Sequence, residues 1–264
     1  MIPRIIHYCW FGGKPKPEIA LKCIESWEKY CPDYVIKEWN ETNFDINSCH
    51  YVKEAYEAKK WAFITDYVRL YALVKEGGIY MDTDVEVLEP LDKYLDLEAF
   101  SGFEDDTHIP TGIMASQAGF KLFDELLKDY NNRHFYLPDG SYDLTTNVET
   151  ITNTCAKYGL KKNNQQQSIC GFVIFPKDVF CPKNHNTGKI EITARTSTIH
   201  HFSGTWISKE GKAAARVKMF FGDKSKLLKL TGNVIAFPLT YIDRIKYQGI
   251  KAATLYYFCK ILKK

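Results

Sequence analysis

Cys-x-x-Cys pairs, long apolar runs and internal repeats are all missing from this chain, and each absence narrows what it can be. Its eight cysteines, at positions 9, 23, 31, 49, 155, 170, 181 and 259, are scattered. They read as reduced and mostly buried thiols, not as a disulfide frame or a zinc site. No stretch reaches the roughly 18 consecutive apolar residues that a membrane-crossing helix needs. The opening Met1-Ile2-Pro3-Arg4 runs straight into a strand pattern with no basic segment followed by an apolar one. The expectation is a cytoplasmic protein that is neither secreted nor membrane-spanning. Low complexity is confined to the polar loop 163–167.

What is present is a chain of 264 residues, 45% hydrophobic and 25% charged, enough for one globular domain with a sizeable core, alone or with an appendage. It is organised around residues 61–88, WAFITDYVRLYALVKEGGIYMDTDVEVL. Apolar residues at Trp61, Ile64, Val68, Leu70, Tyr71 and Val74 have the spacing of a helix with one buried side, and Gly77-Gly78 supplies its stop. From Ile79 the period becomes two. The expectation is a continuous strand to Val87, with Tyr80, Asp82, Asp84 and Glu86 sharing one face. Adjacent like charges repel unless something positive lies between them, and Asp oxygens suit Mg²⁺ or Mn²⁺. A solvated strand end stays open as the plainer reading. A calcium loop is weak, because Val87 stands where its sharp turn needs glycine.

The flanking segments alternate strand and helix. Ile5-Ile6-His7-Tyr8-Cys9 reads as a buried strand ending in Trp10-Phe11 and Gly12-Gly13, an edge where open α/β sheets hold ligands. His7 reads as structural, and Trp10 alone would read as core. Residues 17–30 have the spacing of an amphipathic helix, 34–39 of a strand and 48–59 of a helix, as in a mostly parallel nucleotide-binding sheet. Residues 99–103 form the next strand and 120–130 the next helix. Glu104, Asp105, Asp106 and His108 between them read as a solvated acidic loop. Asn147 is placed to cap a helix running to Tyr158. His200-His201-Phe202-Ser203-Gly204-Thr205-Trp206 ends a strand beginning near Thr198, and because side chains alternate, only one of the two histidines can face a metal site.

The run Ala62-x-x-x-Asp66-x-x-Arg69-x-x-x-Leu73-x-x-x-Gly77-Gly78-Ile79-Tyr80-Met81-Asp82-Thr83-Asp84 resembles glycosyltransferase family 32, which includes yeast mannosyltransferases and bacterial capsule enzymes, and also the large clostridial glucosylating toxins. The resemblance implies a GT-A fold and a metal-dependent, retaining transfer of a hexose from a nucleotide sugar, UDP-sugar favoured, to a saccharide acceptor. It places the donor on Tyr8, Cys9, Trp10, Asp66, Arg69, Tyr80, Asp82, Thr83, Thr205 and Trp206, with Trp10 stacking on the base and Asp66 on the ribose. Asp82, Asp84 and Arg69 are the catalytic candidates. Mn²⁺ or Mg²⁺ would lie on Asp82, Asp84 and His200, with His201 as the substitute: family 32 endings favour the first histidine, a related family's His-Tyr-x-Gly ending the second. Thr111, Gly112 and Ile113 fall near the acceptor side. Thr145-Thr146-Asn147 departs from the relatives' Thr-Gly-Pro turn.

The resemblance divides the chain into a catalytic domain, 1–206, and a basic, mainly helical extension, 207–264. The extension holds 13 Lys and Arg against 3 Asp and Glu, so the overall net charge of +3 conceals an acidic body and a basic tail. Residues 245–264 mix apolar residues with flanking lysines, as in a helix lying on an anionic membrane; a helix packed on the domain is the alternative. Capsule-type relatives point to a lipid-linked saccharide acceptor, and no nucleic-acid partner is expected. Two other classes stay open. A sugar nucleotidyltransferase should show a glycine-rich basic loop where Gly12-Gly13-Lys14-Pro15 stands, and a carbohydrate-binding protein would need neither Arg69 nor the distant His-x-x-x-Gly-Thr-Trp.

Overall fold

The computed structural model describes residues 1–185, 187–204, 210–211, 213–214, 216–217, 226–248, 253–254 and 257. Thr205 and Trp206, and most of 249–264, lie outside the described residues. The chain divides into two compact units, the larger comprising Met1–Phe135, Leu144–Lys183 and Ile190–Ser203.

In the larger unit, seven strands form one sheet: β1 (Ile5–Cys9), β2 (Val35–Trp39), β3 (Gly78–Met81), β5 (Ala99–Gly102), β6 (Ile113–Ser116), β7 (Gln167–Ile169) and β8 (Phe172–Phe175), in the order β2-β1-β3-β6-β5-β8-β7. β1 runs parallel to β2 and β3, and β5 runs parallel to β8, while β6 and β7 are antiparallel to their neighbours. The central sheet is therefore mostly parallel and flanked by helices, as the alternation of strand and helix in the sequence led one to expect. Alternation along β1 explains the layers. Ile6 and Tyr8 join Cys23 and Trp27 of helix α1 (Glu18–Tyr30) in the core on one face. His7 and Cys9 face the other way, towards α3 (Trp61–Glu76), which is flanked by α2 (His50–Glu57) and α4 (Lys121–Asp129). His7 is structural, as expected: Trp39 donates to its Nδ1 at 3.1 Å, and its Nε2 meets the Gly77 carbonyl at 2.7 Å.

The expected strand from Ile79 to Val87 is not continuous. β3 stops at Met81, residues 82–84 turn, and β4 (Val85–Val87) starts a separate two-stranded sheet with β9 (Thr198–His200). Long-range bonds force the break. The Asp82 N–H donates to the Gly112 carbonyl at 2.8 Å, the Val85 N–H turns back to Asp82, and buried Trp27 donates its indole N–H to the Val85 carbonyl at 2.7 Å. Asp82 and Asp84 thus meet across a turn and not along one strand face, and Glu86 leaves the row. The expected cap at Asn147 also moves by one residue: Thr146 accepts from the Glu149 N–H, and Asn147 is the first residue of α5 (Asn147–Lys157), free to use its side chain elsewhere.

All cysteines among the described residues are free thiols, and all but Cys170 are buried. A short helix, α6 (Lys177–Phe180), completes the larger unit. In the smaller unit, α7 (Lys226–Gln248) carries Pro238 and exposes Val234, Ile235, Phe237 and Ile242. Among the described residues no helix is long and apolar enough to cross a membrane.

Gly77 and Gly78 join α3 to β3 with φ of 67° and 108°, and a Cβ on Gly78 would lie 2.7 Å from the Ile5 carbonyl oxygen. Gly119 has φ of 70° but open space around it. Gly78→Ala is expected to cost about 2–4 kcal/mol, from left-handed strain plus overpacking, and Gly119→Ala only the strain, about 1 kcal/mol. Denaturant unfolding measures both, and equal costs would show that the joint of α3 and β3 is not tightly packed.

Candidate active site

α3 delivers Asp66 and Arg69, one turn apart and both buried. β3 delivers Tyr80 and, just past its end, Asp82. Since β1 and β3 are parallel and His7 pairs with Tyr80, Cys9 comes level with Asp82, and Trp10 follows at the same sheet edge. Arg69 links these pieces: its Nη2 lies 3.1 Å from Asp66 and 3.5 Å from Asp82, its Nη1 donates to the Thr111 carbonyl at 2.6 Å, and its guanidinium stands 4.7 Å from the Tyr80 ring centroid. Tyr80 donates its hydroxyl proton to Asp82 at 2.9 Å. Burial by itself would lower the Arg69 pKa, but Tyr80, Asp82 and Asp66 around it hold it above the ordinary value.

Asp84 is fixed from the other side. β9 pairs with β4 so that His200 is opposite Val85, which brings the His200 Nε2 to 3.3 Å from Asp84 Oδ1. Past the strand, Phe202 turns with φ of 51° and the Ser203 N–H donates to Asp84 Oδ2 at 2.7 Å. Burial would raise the Asp84 pKa, but His200 and Ser203 hold it well below the usual carboxylate range. One ligand atom each from Asp82, Asp84 and His200 lie within 4.8 Å of one another. Two carboxylates and an imidazole are a donor set that a divalent cation such as Mn²⁺ accepts. His201 faces away from this cluster: its Nε2 meets Glu86 at 2.7 Å, and Lys183 donates to its carbonyl.

The remaining candidates are placed as follows. Tyr8 donates its hydroxyl proton to Glu38, which also accepts from Lys16 and Asn40. Trp10 is half-buried, with its indole N–H on the Lys14 carbonyl, and Thr83 is half-buried in the turn. Cys9 is buried, and burial pushes its thiol pKa up. Thr111, Gly112 and Ile113 lead into β6, and the Gly112 carbonyl accepts from the Asp82 N–H.

Several supporting contacts were not legible in the sequence. The Asn147 side-chain amide donates to the Asp66 carbonyl at 2.6 Å, its N–H approaches the Asp66 carboxylate at 3.2 Å, and Tyr130 donates to its side-chain oxygen. Asp66 and Asn147 are 81 residues apart. Only the position of Asn147 at a helix start hinted at a special role.

Burial pushes the Asp66 pKa from 3.8 to about 6, outweighing the attraction of Arg69, and the neighbouring Asp82 charge adds to the rise. The folded state therefore holds this proton more tightly than the unfolded chain. The stabilisation is complete below about pH 4, the unfolded value, and is lost as pH rises through the folded one. Relative to Asp66→Asn, which cannot titrate, the wild type is expected to lose stability between about pH 4 and pH 6 in urea unfolding. A constant difference across that window would rule out the raised pKa.

Residues 17–101 match the family described as "Glycosyltransferase sugar-binding region containing DXD motif". No curated protein matches the chain. Similar solved structures include PaToxG glycosyltransferase, with 19% identity over 48% of this chain and 59% of that one and a TM-score of 0.40. The chain thus spans less than two thirds of that protein. Another is a glycosyltransferase involved in the glycosylation of the major capsid of PBCV-1, with 14% identity over 67% of this chain and 84% of that one and a TM-score of 0.38. A third is a galactosyltransferase solved with donor and acceptor sugar analogues, with 13% identity over 79% and 91% and a TM-score of 0.43. The matched segment spans α1 to β5 and contains Asp66, Arg69, Tyr80, Asp82 and Asp84.

Proposed function

We propose that the protein is a retaining, metal-dependent glycosyltransferase of the family 32 kind, moving a hexose from a nucleotide sugar, with UDP-sugars preferred, to a saccharide acceptor in surface polysaccharide synthesis. The observation that carries this is the Asp82, Asp84 and His200 cluster, two of whose members lie in the sugar-binding region. Those three residues would hold Mn²⁺, with Mg²⁺ as the alternative. When bound, the cation supplies Lewis-acid stabilisation of the charge that grows on the leaving diphosphate.

The chain's own residues do the rest. Trp10, beside Cys9 and Tyr8 at the sheet edge, offers a flat face to the base. Asp66 and Tyr80, with Asp82 and Thr83, bind and orient the ribose and sugar hydroxyls. Arg69 keeps the carboxylates Asp66 and Asp82 close together despite their mutual repulsion, and it anchors the loop entering β6. Thr205 and Trp206 complete the donor side in this proposal. The acceptor hydroxyl attacks the anomeric carbon on the face from which the diphosphate leaves. A carbon–oxygen bond to the acceptor forms as the bond to the diphosphate breaks, and the hydroxyl proton passes to the leaving phosphate.

A panel of nucleotide sugars incubated with Mn²⁺ tests the activity. One of them is expected to release free nucleotide, and neither release nor binding with any would overturn the assignment. With that donor, Asp84→Asn keeps volume but removes charge, and turnover is expected to fall at least about 10²-fold. His200→Ala is expected to weaken metal dependence far more than His201→Ala, and the reverse order would transfer the role to His201.

A lipid-linked acceptor would keep the enzyme at an anionic membrane, and residues 207–264 carry the basic excess for that contact. The full-length protein is expected to sediment with anionic liposomes at low salt and to be released as salt rises. A chain ending near Phe237 is expected to stay in solution. Equal behaviour of the two would remove the tail from the membrane contact.

A further inference from the structure

Gly112 occupies an unusual place in the site. Both carbonyls around it are held: Arg69 donates to the Thr111 carbonyl at 2.6 Å, and the Asp82 N–H donates to that of Gly112 at 2.8 Å. The backbone here cannot retreat without breaking a buried hydrogen bond, which costs about 1–3 kcal/mol for the group left unpaired. Directly in front of the Gly112 Cα lies the His200 imidazole. A Cβ at this position would fall 2.6 Å from its Nδ1 and 2.8 Å from its Cε1, far inside van der Waals contact. On the ring's other contacts, Phe202 lies 4.2 Å away between centroids and Asp84 faces Nε2. His200 Nδ1 is buried without a nitrogen or oxygen partner, and the polar group on that part of the ring is the buried Cys181 thiol.

We propose that Gly112 is a positioning residue for His200: the bare backbone of the 111–112 segment is the flat seat that aims Nε2 at the Asp82 and Asp84 carboxylates. A ligating histidine is ordinarily oriented by a hydrogen bond from its second nitrogen. Here close packing shares that task with the Cys181 thiol, the glycine lying on one side and Phe202 and Asp84 on the others. The same peptide segment receives the Asp82 N–H, so it sets two of the three ligands relative to each other. Gly112 has no left-handed φ, which separates it from Gly77 and Gly78: alanine suits its backbone, and the whole cost of a methyl group falls on the imidazole.

This inference rests on the reading of Asp82, Asp84 and His200 as a cation site, and the test separates the two. Mn²⁺ alone is titrated into the full-length wild type, Gly112→Ala, His200→Ala and the double variant, and free Mn²⁺ is followed by electron paramagnetic resonance. Gly112→Ala is expected to bind about 10- to 100-fold more weakly than wild type, the usual loss when the support of a ligating side chain is removed. In the His200→Ala background, the added methyl group is expected to change affinity no further. If Gly112→Ala alone does not fold, the double variant should fold, because removing the imidazole makes room; a double variant that also fails to fold overturns the proposal. Wild-type affinity in Gly112→Ala, or a further loss in the double variant, overturns the positioning role while leaving the cation site intact. Absence of Mn²⁺ binding by the wild type overturns both.

Discussion

A buried guanidinium holds this site together. Arg69 is almost wholly removed from solvent, and so is Asp66 beside it, while Asp82 approaches from the end of β3. Taking such charges out of water is costly, and it is tolerated only when each finds its complement and its hydrogen bonds. Arg69 meets this condition with two carboxylates, the Thr65 and Thr111 carbonyls and the face of Tyr80. Removing it would leave two carboxylates facing each other in a poorly solvated space. The same side chain thus serves both as an element of the core and as the electrostatic basis of the candidate active site.

Around that centre, the end of β3 is a crossing point for distant parts of the chain. The Asp82 N–H reaches the entry to β6, Trp27 of α1 anchors the start of β4, and β9 returns from residue 198 to pair with β4. Asp84 is then gripped at its carboxylate by Ser203 and at its carbonyl by the His201 N–H. Each grip comes from more than 100 residues away. A DXD sequence in a turn becomes a rigid pair of carboxylates only because these strands and loops converge on it.

Much of the architecture was legible from spacing. The helix of 61–76 and its glycine stop, the strand ending at Trp10, the helix starting after Pro17 and the strand at 198–200 all follow from local periodicity and punctuation, and all are present. The reading failed where period two continued past a break. Val85 and Val87 alternate as if β3 went on, because β4 is itself a buried strand of another sheet, and nothing in the local pattern marks the change of partner. Asn147 was misplaced by one residue for a similar reason. Asn and Thr both make acceptable caps, and the choice fell to Thr146 because Asn147 is taken up by Asp66 and Tyr130.

By itself, then, the sequence determined which residues carry charge and ligating atoms, where α3 stops and that Asp82 and Asp84 must sit close together; these are properties of short segments, set by side-chain chemistry and by the period of helix and strand. Tertiary structure decided the rest. It placed His200 beside Asp84 and His201 beside Glu86, because of the pairing of β9 with β4. It also set Gly112 against the His200 ring and Asn147 against Asp66. Contacts of that kind depend on which surfaces meet after the sheet has assembled, and a side chain carries no local mark of a partner that lies a hundred residues away.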